Sequence, residues 1–174
     1  MNSAHFHLML NHFPVIGLFV GFLLLVLSMI RKSEALKEAS LWAFVISALI
    51  SIPAYLSGEP AEKMVKGLAD VSKPIMEQHE EMGGLALAAI IILGILAAVG
   101  LIVYRRVETI PMRFIVLPLV LSIIAGGLIG KTANLGGQIR HAEIRKDFQI
   151  SKSDAKIHER DNKEEDRDED KEED

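Results

Sequence analysis

The chain has 174 residues, of which 50% are hydrophobic and 24% charged, with a formal net charge of −4. Those fractions coexist because they are segregated: residues 151–174 hold twelve acids against six bases, a charge of −6, which leaves +2 for residues 1–150. Cysteine is absent, and this excludes disulfides, thiolate metal sites, iron–sulfur clusters and covalently attached c-type haem.

The start of the chain, Met-Asn-Ser-Ala-His, has no Lys or Arg before its first apolar run. A cleaved secretory signal carries a basic n-region, so the first helix is expected to be retained. Four uncharged apolar runs follow in order: Phe13 to Ile30, Leu41 to Leu56, Leu85 to Tyr104 and Phe114 to Ile129. With their flanks they give predicted spans at about 13–31, 41–57, 84–104 and 113–131, each near the roughly 20 residues that cross a hydrocarbon core. A soluble core helix would show a polar face at helical spacing, and these do not. In lipid every backbone polar group must be satisfied within the segment, so the runs are predicted to be helices. Trp42, Tyr55 and Tyr104 lie near run ends, where interfacial aromatics belong.

The fold class expected is therefore all-α, an integral membrane four-helix up-down bundle over residues 1–150, followed by a disordered acidic tail over 151–174. Between the second and third spans, Glu59, Glu62, Lys63 and Lys66 suit a short surface helix. Ser72, Pro74 and Glu77 read as a helix start, which lets the third helix protrude from the bilayer before Leu85. Ser57-Gly58-Glu59-Pro60 reads as a helix stop and a turn. Arg31, Lys32 and Lys37 follow the first helix, and Arg105, Arg106 and Arg113 flank the other short loop. These place both short loops in the cytoplasm and both termini outside; Lys131, Arg140, Arg145 and Lys146 after the fourth helix argue the other way. The tail is aromatic-free and charged, and cannot bury enough surface to fold alone.

An up-down bundle puts His5, His7, His12, His79 and His141 at one edge of the membrane, with Glu59, Glu62, Glu80, Glu81 and Glu143. His5 and His12 share a helix face two turns apart, and His7 points elsewhere. A helix that begins before Pro14 would lose a hydrogen bond to a carbonyl near Leu10 and kink; one that begins at Pro14 would leave His12 just outside. Ionisable groups near membrane helices are usually functional. Two neutral imidazoles on facing helices can ligate haem b axially, with Arg140, Arg145 or Lys131 on the propionates. Alternatively, His5, His7, His12, His79 and His141 with Glu59 and Glu80 can hold a non-haem iron, copper or zinc ion. The bland alternative is interfacial histidines bonded to water, headgroups or backbone. Loss of cofactor on His12→Ala or His141→Ala is the expected signature of a site.

Gly126-Gly127, Gly130, Gly136-Gly137 and Gly83-Gly84 suit close helix packing, or admission of a flat macrocycle between helices. No phosphate-binding loop, dinucleotide fingerprint, nucleophile elbow or HExxH motif is present. Pro14 and Pro118 interrupt spans, yet no charge lies at midplane, which argues against a transporter or channel.

His5-Phe6-His7, Asn11-His12-Phe13-Pro14, Ser57-Gly58-Glu59-Pro60-Ala61-Glu62, His79-Glu80-Glu81 and Gly136-Gly137-Gln138-Ile139-Arg140-His141 together resemble the bacterial four-helix membrane family called domain of unknown function 2231. The resemblance covers about residues 5–145. It implies a multi-pass protein of the bacterial inner membrane and, since relatives are sometimes joined to Rieske or cytochrome c modules, a redox setting. Many relatives have Leu-Val-Tyr where this chain has Gln138-Ile139-Arg140, which makes this edge more polar. Two functions are expected on this reading. One is a small redox or metal protein with its site at the outer membrane edge. The other is a non-catalytic structural or assembly subunit of a membrane complex, with the acidic tail as its contact. A pH sensor is a third, since histidines titrate near neutrality. Expected partners are the lipid bilayer and a redox or membrane-complex partner, and no nucleic acid.

Overall fold

A computed structural model describes residues 2–68, 71–107 and 109–145, and their regular structure is all helical. The expected tail over 151–174 lies outside these residues. Helix α1 spans Ser3–Arg31, and the Asn2 side chain caps it by accepting from the His5 backbone N–H at 2.9 Å. At 1.5 Å per residue its 29 residues reach about 43 Å, enough for the hydrocarbon core and a headgroup layer. It therefore begins ten residues before the first apolar run, and Pro14 lies inside it.

Lys32 adopts the left-handed conformation (φ 50°) and its N–H closes onto the Ser28 carbonyl. Ser33 then caps α2 (Glu34–Leu56) through a bond from the Leu36 N–H. This tight connection makes α1 and α2 antiparallel neighbours. Pro53 is inside α2, a third span proline beside Pro14 and Pro118. The chain then breaks only at Ser57 before α3 (Gly58–Val65). Gly58 does not take a positive φ, so the anticipated stop is a one-residue interruption rather than a glycine turn. Pro60 sits in the first turn of α3, where its missing N–H has no intrahelical acceptor to lose. Helix α4 (Lys73–Val107) starts beside Pro74 as the sequence suggests, and its 35 residues carry it past the bilayer at its N-terminal end. Pro111 precedes α5 (Met112–Arg140), and a short 3-10 turn follows at Ala142–Ile144.

Four helices are long and apolar enough to cross a membrane. Helix α1 packs on α2, α2 on α4, α4 on α5, and α1 meets α5 to close the ring. Leu25, Leu41, Phe44, Leu93, Ala97 and Ile115 fill the centre. Lipid is as apolar as leucine, so close packing and hydrogen bonds, not exclusion from solvent, hold such helices together. The glycines that matter for this are in α1 and α4. A Cβ on Gly17 would stand 2.1 Å from Ser47 Oγ, and one on Gly94 would stand 2.3 Å from Ala48 Cβ. The packing expected of Gly126, Gly127 and Gly130 differs: Gly127 and Gly130 have nothing within 4 Å, and Gly126 only Leu18 at 3.9 Å. Buried Ser28, Ser40, Ser47 and Ser51 donate to carbonyls three or four residues back, which satisfies each hydroxyl without a partner helix.

At the end bearing the short loops, Lys37 is 5% exposed. Its Nζ donates to Glu34 Oε1 at 2.6 Å and to the Ile110 carbonyl at 2.9 Å, while Glu34 Oε2 accepts from the Ile110 N–H at 2.9 Å. One ion pair, with Lys37 buried and Glu34 partly exposed, thus pins both backbone polar groups of Ile110 to the start of α2.

Candidate functional site

The start of α1, the end of α2, the start of α4 and the end of α5 meet at the opposite end, so all five histidines of residues 1–145 lie there. They do not converge on one point. Among the described residues no group of three or more His, Asp or Glu side chains could hold a metal ion.

His7 and His79 are the two of these histidines whose rings bond a backbone carbonyl of another helix. His7 is half-buried, and its Nδ1 lies 3.1 Å from the Ala54 carbonyl and 2.9 Å from Ser57 Oγ. The Ser57 hydroxyl itself donates to the Ala54 carbonyl at 2.7 Å. A carbonyl only accepts, so the His7 proton is on Nδ1 and is shared between these two oxygens. His79 is also half-buried, and its Nδ1 lies 2.9 Å from the Thr132 carbonyl; the same argument puts its proton on Nδ1. No described residue bonds Nε2 of either ring. One imidazole comes from α1 and the other from α4.

Local sequence explains both placements. Gly58 leaves room for His7, whose Cε1 would lie 3.6 Å from a Cβ there. Gly136 receives His79, whose Cε1 would be 3.1 Å from an added Cβ. Thr132 and Gly136 are four apart on α5, so one helix face supplies both the acceptor and the space. Tyr55, which reads in the sequence only as an interfacial aromatic, lies across Gly83 and Gly84 of α4. Gly83 is one helical turn beyond His79, so the end of α2 bonds His7 through Ala54 and packs over α4 through the next residue.

The other expected site residues are exposed or have local partners. His12 is exposed on α1, and its Nδ1 bonds the Leu8 carbonyl of its own helix. His5 is exposed near the N-terminus of α1. His141 ends α5, is exposed, and meets Glu143 at 2.8 Å. The Glu143 carboxyl is held below its usual range by its own backbone N–H and by His141. Glu59 pairs with Lys63 at 2.7 Å on the exposed face of α3, and Glu80 is exposed. Of the cations expected to face propionates, Arg145 instead donates to the Gln138 and Ile139 carbonyls and caps α5. Lys131 is exposed, and the Arg140 side chain lies outside the described residues.

The fold thus defines a class, a helical membrane protein with four candidate spans and its described histidines at one end of the bundle. Within that class the chain belongs to the family DUF2231, described as predicted membrane protein, whose family model matches residues 4–143. Neither a curated protein nor a solved structure matches it.

Proposed function

We propose that this protein is a small membrane redox protein that holds haem b between His7 and His79. The observation that carries the reading is a shared hydrogen bond: each ring donates Nδ1–H to a backbone carbonyl of another helix, and no described residue bonds its Nε2. That is how metal-ligating imidazoles are usually oriented and made more basic. The donor set favours haem over a non-haem ion. A non-haem iron, copper or zinc site draws three or four ligands from the protein, whereas a porphyrin brings four nitrogens and asks for two. Haem when bound supplies reversible one-electron transfer. The protein's own part is to fix two imidazoles on different helices and to place them where a redox partner can approach from the aqueous side.

Orientation follows the basic end. Arg31, Lys32, Arg105, Arg106 and Arg113 flank the short connections, so on the positive-inside rule those face the cytoplasm. The histidine end and both termini then face outward from a bacterial inner membrane.

A second reading, a structural subunit of a membrane complex, draws on α5. Gly127 and Gly130 have nothing within 4 Å, which leaves a smooth face for a helix of another protein. The test is an absorbance spectrum of the detergent-purified full chain, oxidised and then dithionite-reduced, with metal analysis of the same sample. A Soret band that shifts on reduction supports haem. A colourless sample with stoichiometric iron, copper or zinc moves the site to a non-haem ion. A colourless, metal-free sample with a co-purifying partner favours the structural subunit.

A further inference from the structure

At the basic end a cleft of about 430 Å³ opens between the last turns of α4 and the first turns of α5. Val103, Phe114 and Leu117 line it on the bilayer side, Ile110 and Pro111 close its aqueous end, and Arg113 stands at its rim. Its surroundings make it a built site rather than a gap. Ile110 is fixed at both its N–H and its carbonyl by Glu34 and Lys37, so the wall it forms is held before anything binds. Arg113 is exposed, and no described residue pairs with it. An apolar slot that runs along two candidate spans and ends at a guanidinium just before the apolar run of α5 suits a lipid with an anionic head.

We propose that this cleft binds one anionic glycerophospholipid, with an acyl chain along Val103, Phe114 and Leu117 and its phosphate on Arg113. The guanidinium offers a planar fork of donors suited to phosphate oxygens, and the bond strengthens at the low-dielectric interface. Arg105 and Arg106 are also exposed at this end but do not line the cleft, so they separate a defined site from general attraction to anionic membranes.

Native mass spectrometry of the detergent-solubilised full chain, titrated with phosphatidylglycerol or phosphatidylcholine, tests this. One phosphatidylglycerol should be retained in preference to phosphatidylcholine. Arg113→Gln should weaken it about tenfold, the loss of one charge-assisted bond, while the Arg105→Gln/Arg106→Gln double variant stays within about twofold. Val103→Trp, which fills the slot, should remove the lipid while the protein keeps its helical circular dichroism. Equal retention of the two lipids, equal loss in the double variant, or displacement by glycerophosphoglycerol, the head without chains, would each overturn the proposal.

Discussion

A methyl group at Gly136 would stand 3.1 Å from the Cε1 of His79, too close unless the ring moves. Gly136→Ala should therefore tilt His79 off the Thr132 carbonyl, at a cost of about 1–3 kcal/mol, and lower haem retention in the purified protein. Gly130→Ala is its control. Nothing lies within 4 Å there, so it should gain helix propensity, up to about 1 kcal/mol, and keep the spectrum. Thermal unfolding in detergent with absorbance on the same samples checks both. The histidines were visible in the sequence as a group, but their partners were not. The decisive facts for His7 and His79 are backbone carbonyls at Ala54 and Thr132, and no side chain announces which carbonyl a ring will meet 47 or 53 residues away.

Helices α1 and α2 were legible where they were apolar and illegible where they were not. The sequence places the first span from residue 13, yet α1 runs from Ser3 because Asn2 caps it and nothing before Pro14 breaks it. That extension carries His7 alongside the end of α2. The start of α4 at Pro74 could be read from its proline and the Ser72 before it. Legible in neither composition nor periodicity was the Lys37 clamp, since Lys37 looks like one more positive-inside residue. Its burial makes a prediction at this scale. Lys37→Met should cost about 1–3 kcal/mol, because Glu34 keeps its bond to Ile110 and is itself 33% exposed at the side chain. Glu34→Gln/Lys37→Met together should cost less than the sum of the single variants, since both act on one network. Chemical denaturation of the four proteins measures the coupling.

At the scale of the molecule, four apolar runs and three connections define an up-down bundle, and the helices confirm that order. What hydropathy cannot encode is which helices touch, and here the α1–α2 and α2–α4 sides of the ring are closed by Gly17 meeting Ser47 and Gly94 meeting Ala48. The absence of cysteine allows a clean accessibility scan. Single cysteines at Ser3, Ser72 and Glu143 should react with an impermeant maleimide from outside intact cells, and those at Ser33 and Thr109 only after lysis. The reverse pattern would invert the orientation and put the histidine end in the cytoplasm.

The most direct test of the central claim is the reduced-minus-oxidised spectrum of purified His7→Ala and His79→Ala beside His12→Ala and His141→Ala. The expected result is loss or strong perturbation of the haem signal in the first two and a native spectrum in the other two. Retention in His7→Ala and His79→Ala, or loss confined to His12→Ala and His141→Ala, would contradict the assignment of the two inward-facing imidazoles as the ligands.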